Sequence, residues 1–305
     1  MRVTTPMPNR PPPLSGTAHK RDFSMHGVGI SVVTDLDDSV TLLDDTFGEF
    51  AAPAGPESVV IEVLRSGDGD GFLVTGGDGV SQTAPDAHAA LLAMLNAVAG
   101  TVVSGLYRQG LLAIHAGALV HRGRALVIAG RSGHGKTTLT LALVRAGLAF
   151  LSDELAVLDP ATRTVHAYPR SAHVRPTTLA LIPELEPLCG RAQRDLGDGN
   201  EWVVTPRVLA TAFPGCRATA APLGAVILLD APADAARSAR LSPVPPGVAT
   251  LELLRGTPAA SIDFGAVLPQ MAGALGSAHC ARLDSGELTD NVAAVLAWLD
   301  EDGDG

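Results

Sequence analysis

Between Ala125 and Gly147 the chain runs through a short apolar stretch, a glycine loop and an apolar helix, and this order constrains the fold more than anything else in the sequence. Ala125-Leu126-Val127-Ile128-Ala129 predicts a buried strand. Gly130-Arg131-Ser132-Gly133-His134-Gly135-Lys136-Thr137-Thr138 follows and fits G-x-x-x-x-G-K-[ST] without a mismatch. Thr137 to Ala146 is apolar and helix-compatible, and Gly147 stands where a C-terminal cap belongs. Glycines let successive backbone N–H groups turn toward one anion, and the helix N-terminus adds its partial positive charge. The motif therefore predicts a nucleoside triphosphate held along residues 130–138. Lys136 would reach the β- and γ-phosphates, and the Thr137 hydroxyl would hold Mg²⁺. Arg131 and His134 occupy variable positions, Arg131 able to touch phosphate and His134 facing solvent. The fate of the γ-phosphate is left open by the motif.

Composition narrows the partners. The 305 residues are 46% hydrophobic but only 4% aromatic, so the core rests on Ala, Leu and Val. Net charge is −10 and no Lys- or Arg-rich run occurs, which argues against nucleic acid as a partner. Cys189, Cys216 and Cys280 are scattered, with neither C-x-x-C nor His–Cys spacing, so no zinc site or disulfide framework is expected. The first residues lack the apolar core of a signal peptide, and no apolar run approaches the length of a membrane span. The expectation is a cytoplasmic protein.

Along the chain, residues 1–22 are proline-rich and predict a disordered arm. Residues 23–108 predict a small α/β N-terminal domain. Strands are expected over Met25–Thr34, Ser58–Leu64 and Gly71–Thr75, with a Gly/Asp turn at residues 67–71, before a long helix from Pro85 to Arg108. Residues 109–299 predict the domain that carries the loop, and 300–305 an acidic, frayed tail. Within that domain Leu111–Val120 and Arg124–Ala129 form a hairpin, with later strands at Leu155–Leu158, Val165–Tyr168, Glu201–Thr205 and Gly224–Leu229. Helices are expected near 247–255, 264–275 and 287–299.

A phosphotransferase needs a base for the attacking hydroxyl and a carboxylate near Mg²⁺. Asp153-Glu154 follows the strand after the loop helix, at the sheet edge that carries the loop. Asp230 closes Ala225-Val226-Ile227-Leu228-Leu229 and reads like the aspartate of a Walker B strand. Spacing alone leaves both open. His115 lies in an apolar strand, and Arg170, Arg175 and Arg207 are candidates to stabilise charge on a transferring phosphoryl group.

Residues 111–170 resemble the HPr kinase/phosphorylase family, in particular its shorter HPr-kinase-related members. The matching elements are His115-Ala116-Gly117, the glycine loop 130–137, the segment Ala146 to Glu154, and Tyr168-Pro169-Arg170. The resemblance implies a P-loop-containing, phosphoenolpyruvate-carboxykinase-like core beside the small α/β N-terminal domain. It gives Asp153 the role of base, with His115 beside it, and gives Glu154 a metal contact together with Thr137. The family usually has two aspartates where this chain has Asp-Glu. It implies ATP and Mg²⁺ as cofactors, and transfer to a serine of a peptide or protein. Some shorter relatives phosphorylate a lasso-type precursor peptide. No counterpart of the family's second signature loop occurs, so phosphorylase activity is not expected. HPr kinases are hexamers, so the resemblance allows a homo-oligomer. Two other classes fit the loop: a kinase of small molecules, and a nucleotide-switched regulator, for which no N-K-x-D motif is present.

Overall fold

The computed structural model describes residues 18–66, 71–191, 202–230 and 238–301. It is a mixed α/β structure built on several sheets. The N-terminal sheet runs in the order β1(His19–Met25), β2(Val28–Thr34), β3(Val59–Arg65), β4(Phe72–Thr75), β5(Ser81–Ala84). Helix α1(Asp37–Phe47) lies between β2 and β3, and α2(Ala87–Arg108) follows β5. Strand β1 begins at His19, inside the segment read as an arm. Its charged start, His19-Lys20-Arg21-Asp22, is held by full pairing with β2. Residues 1–17, 67–70 and 302–305, which hold the rest of the expected arm, the Gly/Asp turn and the end of the acidic tail, lie outside the described residues. Asp300, read as part of that tail, is helical and accepts from His121 Nε2 at 2.9 Å.

Helix α2 corrects one expectation. It has 22 residues and a mean hydropathy of 1.8, long and apolar enough to cross a bilayer by length and composition alone. Here it is a core helix. Asp86 caps it by accepting from Ala89 N at 2.8 Å. Leu91, Met94, Val98, Val102 and Leu106, spaced by three and four, are fully buried and pack with β2, β3 and β4. Burying each such side chain stabilises by about 1.5–3 kcal/mol.

The central sheet takes β6(Leu112–His121), β7(Arg124–Gly130), β8(Ala149–Ser152), β9(Leu155–Asp159) and β10(Thr164–His166), with α3(Lys136–Arg145) between β7 and β8. A small sheet of β11(Ala172–Val174), β12(Gly190–Arg191) and β13(Trp202–Val204) stands apart, flanked by α4(Pro176–Leu181) and α5(Pro206–Ala212). The chain then returns to the central sheet through β14(Ala220–Leu229), β15(Arg240–Pro243) and β16(His279–Asp284), with α6(Pro246–Arg255), α7(Pro258–Ile262) and α8(Phe264–Leu275) between the last two strands and α9(Leu288–Glu301) at the end. The strand order is β10-β9-β6-β7-β14-β16-β15, and β8 adds to β6.

Two strands organise this sheet. Strand β14 runs parallel to β7, with Leu229 opposite Gly130, and parallel to β16. Strand β6 changes partners midway: Leu112 to His115 pair with β9, and Ala116 to His121 pair with β7. Alternation then sorts the side chains to two helical layers. Val127, Ala129, Val226 and Leu228 face α6 and α8, and Leu126, Ile128, Ile227 and Leu229 face α3 and α9. The N-terminal core continues into this sheet, taking in Ala113, Val157 and Tyr168.

Candidate functional site

The glycine loop joins the buried end of β7 to the first turn of α3. Gly133 and Gly135 have φ of +82° and +85°, and nothing lies within 4 Å of a Cβ built on either. Backbone conformation, not space, asks for glycine there. Gly130 is different, since a Cβ on it would come within 2.9 Å of Leu229 Cβ. Close approach of β14 asks for glycine at that position. Lys136 is buried at 7% exposure and curls back to the loop, donating to Gly130 O at 2.8 Å and Arg131 O at 3.4 Å. Burial pushes its pKa down, against the opposing pull of Glu154 and Asp153.

The acidic pair sits on a pinned turn. Strand β8 pairs with β6 through Ser152 and Ala118. The buried Ser152 Oγ accepts from Glu154 N at 3.3 Å and Leu155 N at 3.0 Å, while Ala116 N donates to Glu154 O at 3.1 Å. These bonds hold the turn from both sides. Asp153 is 6% exposed, and its Oδ2 lies 3.5 Å from Thr137 Oγ1 on the first turn of α3. Burial and then the charge of Glu154 raise its pKa to about 7, against Arg170, its own backbone and Thr137. Glu154 projects outward and its Oε2 accepts from Arg170 Nη1 at 2.5 Å. Arg170 follows Tyr168, whose N–H donates to Leu151 O at 2.9 Å, so this segment runs beside the end of β8.

Lys136, Thr137, Asp153 and Glu154 thus meet at one sheet edge. His115 joins them from the point where β6 changes partners. Its ring keeps an exposed edge, yet the surrounding protein pushes its pKa down, and the Lys136 charge acts the same way. Of the three arginines read from the sequence, Arg170 reaches the pair, while Arg175 precedes α4 and Arg207 lies on α5, both exposed. Thr138 turns to α4, its hydroxyl 2.9 Å from that of Thr178. Arg131 and Ser132 are exposed. His134 is not solvent-facing as expected: it is half-buried, with Nδ1 3.2 Å from Leu229 O. The loop folds back over the end of β14, a contact with no local signal.

Asp230 also stands at the loop edge, one residue beyond Leu229, but on the opposite side of β7 from Asp153. Its Oδ1 accepts from Arg282 Nη1 at 2.5 Å. Arg282, on β16, was missed from sequence because only the parallel β14–β16 pairing brings it there. Together with His115, Arg131 and Glu252 they line a cavity of about 800 Å³. That cavity meets the start of the loop, and Lys136, Thr137, Asp153 and Glu154 are not among its lining residues.

The arrangement offers hard oxygen donors, Thr137 Oγ1 and the two carboxylates, next to a helix N-terminus and a buried ammonium. Magnesium takes such donors one or two at a time and completes its shell with phosphate and water. Among the described residues no group of three or more His, Cys, Asp and Glu side chains could cage a metal by itself.

No family model matches the chain, and no curated protein matches it. Among solved structures it is similar to the Hpr(Ser) kinase/phosphatase from Coxiella burnetii at 12% identity, over 62% of this chain and 97% of that one, with a TM-score of 0.30. A likeness at that TM-score says nothing about the reaction.

Proposed function

We propose that the chain is an ATP-dependent phosphotransferase that moves the γ-phosphoryl group to a hydroxyl, on a serine of a peptide or protein. The observation that carries this reading is the buried Asp153 carboxylate 3.5 Å from the Thr137 hydroxyl, at the first turn of the helix that the glycine loop opens. A nucleotide switch can place a Mg²⁺-binding carboxylate at the same point, so acceptor-dependent ADP release is what separates the two readings. The loop is read as a P-loop of Walker A type, with residues 130–138 around the phosphates and Lys136 leaving its loop carbonyls for the β- and γ-phosphates.

Asp153 takes the proton of the acceptor hydroxyl as its oxygen bonds to the γ-phosphorus and the bond to the β,γ-bridging oxygen breaks. ADP leaves with its charge matched by Lys136 and the helix N-terminus. Its raised pKa suits Asp153 to accept a proton near neutral pH. Thr137 and Glu154 would hold Mg²⁺, which supplies charge neutralisation on the phosphates when bound. His115 lies beside the pair and is held toward its neutral form, since burial pushes its pKa down. The cavity of about 800 Å³ beside the loop favours a second reading, a small-molecule acceptor, because its size suits a metabolite.

The test is incubation with Mg-ATP and either serine-bearing precursor peptides or a metabolite pool, read by mass for one added phosphoryl group. Transfer to peptide supports the first reading, and transfer to a metabolite the second. ADP release at one rate with or without any acceptor would sink both in favour of a nucleotide switch.

A further inference from the structure

The segment that carries Arg170 is gripped from behind by the N-terminal unit. Ser171 N donates to Thr46 O at 3.3 Å, and Ser171 Oγ donates to Asp45 O. His26 Nε2 lies 2.8 Å from Ala167 O. The buried Tyr168 hydroxyl points to Met25 Sδ at 3.3 Å, and the Tyr168 ring meets that of Phe50 at 4.9 Å. All of these partners come from β1, the turn after it, α1 or the turn after α1, and all land between residues 167 and 171. The guanidinium itself sits 5.6 Å from the centroid of the Phe47 ring, the last residue of α1. Phe47 is 3% exposed and held edge-on by Phe23 at 5.8 Å.

Arg170 Nε is buried and has no hydrogen-bond partner among the described residues. No acceptor at that atom fixes the plane of the guanidinium. Two contacts flank it, Glu154 at its tip and the Phe47 ring, over which its Cζ stands. The attraction between a cation and an aromatic face favours a guanidinium that stays over the ring. Glu154 needs such a partner. Its side chain is 42% exposed, and left alone it would sample many rotamers.

We propose that Phe47 is a positioning residue of the site: the N-terminal unit holds Arg170, and Arg170 holds the Glu154 carboxylate where it can join Thr137 at a nucleotide-bound divalent cation. This rests on the nucleotide-binding reading above. It assigns the N-terminal unit a part in the chemistry rather than a separate task. Partners that orient a ligating carboxylate commonly set metal affinity by 10- to 100-fold, roughly, without touching the metal.

The experiment is calorimetric titration of Mg²⁺ into the full chain at fixed ATP, paired with ATP binding in chelator. Phe47→Leu keeps an apolar side chain in the core but removes the aromatic face. Arg170→Lys leaves Phe47 and its packing intact and removes the planar fork. Both variants should raise the half-saturating Mg²⁺ concentration by about tenfold or more. Metal-free ATP binding, which depends on Lys136 and the loop, should stay unchanged. A folded Phe47→Leu protein with wild-type Mg²⁺ dependence overturns the proposal, as does an equal loss of metal-free binding. Should Phe47→Leu fail to fold, Arg170→Lys decides by the same two readings. Wild-type protein that binds no Mg-ATP would instead remove the nucleotide reading itself, and this proposal with it.

Discussion

Thr137 Oγ1 and Asp153 Oδ2 come within 3.5 Å of each other although 16 residues separate them in sequence. One leaves the N-terminus of α3 and the other the tip of β8, so the chain closes this gap only by running the full length of the helix and back. The contact is longer than a direct hydroxyl–carboxylate hydrogen bond usually is. It leaves both oxygens available to a third group.

Exchange of Asp153 separates binding from transfer. Asp153→Asn keeps the shape of the side chain and cannot accept a proton. Phosphoryl transfer should fall by about 10²- to 10⁴-fold while calorimetry still detects ATP binding. Asp230→Asn should leave transfer within a few-fold of wild type, since Asp230 is engaged by Arg282 on the far side of β7. The reverse pattern would hand the base to Asp230.

Lys136→Ala removes the ammonium that lies under the loop. Loss of its charge from the developing transition state should lower the rate by about 10²-fold or more. ATP affinity should fall as well. Unchanged affinity and turnover together would exclude a phosphate role for this lysine.

Two opposite pH responses follow from Asp153. A base acts when ionised, so turnover should rise with pH through a midpoint near 7, the value to which burial and Glu154 raise this carboxyl. Stability should move the other way. The folded state holds the proton more tightly than the unfolded chain, where an aspartate titrates near ~3.9. The contribution of this group is therefore full below that value and is lost as pH rises through about 7. Denaturant melts across this range should show the loss in wild type and not in Asp153→Asn.

The loop glycines should fail in different ways. Gly135→Ala places a side chain at φ +85° with open space around it, so the cost is conformational, about 1–2 kcal/mol. Gly130→Ala drives a methyl group to 2.9 Å from Leu229 Cβ and must push β7 and β14 apart. Overpacking of this kind costs about 1–3 kcal/mol. A shift of the Leu229 and Ile227 methyl resonances in Gly130→Ala, absent in Gly135→Ala, would separate strand displacement from loop strain.

The strand, loop and helix at 124–145 were legible because short-range signals agree there: a buried apolar run, the glycine motif and a helical pattern. The late helices were legible for the same reason. Helix α1 was not. Its sequence, Asp37-Asp38-Ser39-Val40-Thr41-Leu42-Leu43-Asp44-Asp45-Thr46-Phe47, is poor in helix formers, and Leu36 at its N-cap makes no side-chain capping bond. Packing of Leu43 and Phe47 into the N-terminal core holds it instead. Asp153 could be proposed from its place in the chain, but its burial could not. The Phe47–Arg170 contact left no trace, because neither residue type nor spacing reports a meeting across more than a hundred residues. His134 was misread for a similar reason, its partner Leu229 being set by strand register.

The shared core around Ala113, Val157 and Tyr168 bears on how this chain can be cut. A fragment beginning after α2 would keep the glycine loop and both acids, yet it would turn these three side chains out to water and strip the backing from residues 167–171. Such a truncation should be prone to self-association, and any activity it showed would be measured on a damaged scaffold. The shortest piece that can be studied honestly therefore starts at β1, 111 residues before the first glycine of the motif that draws the eye.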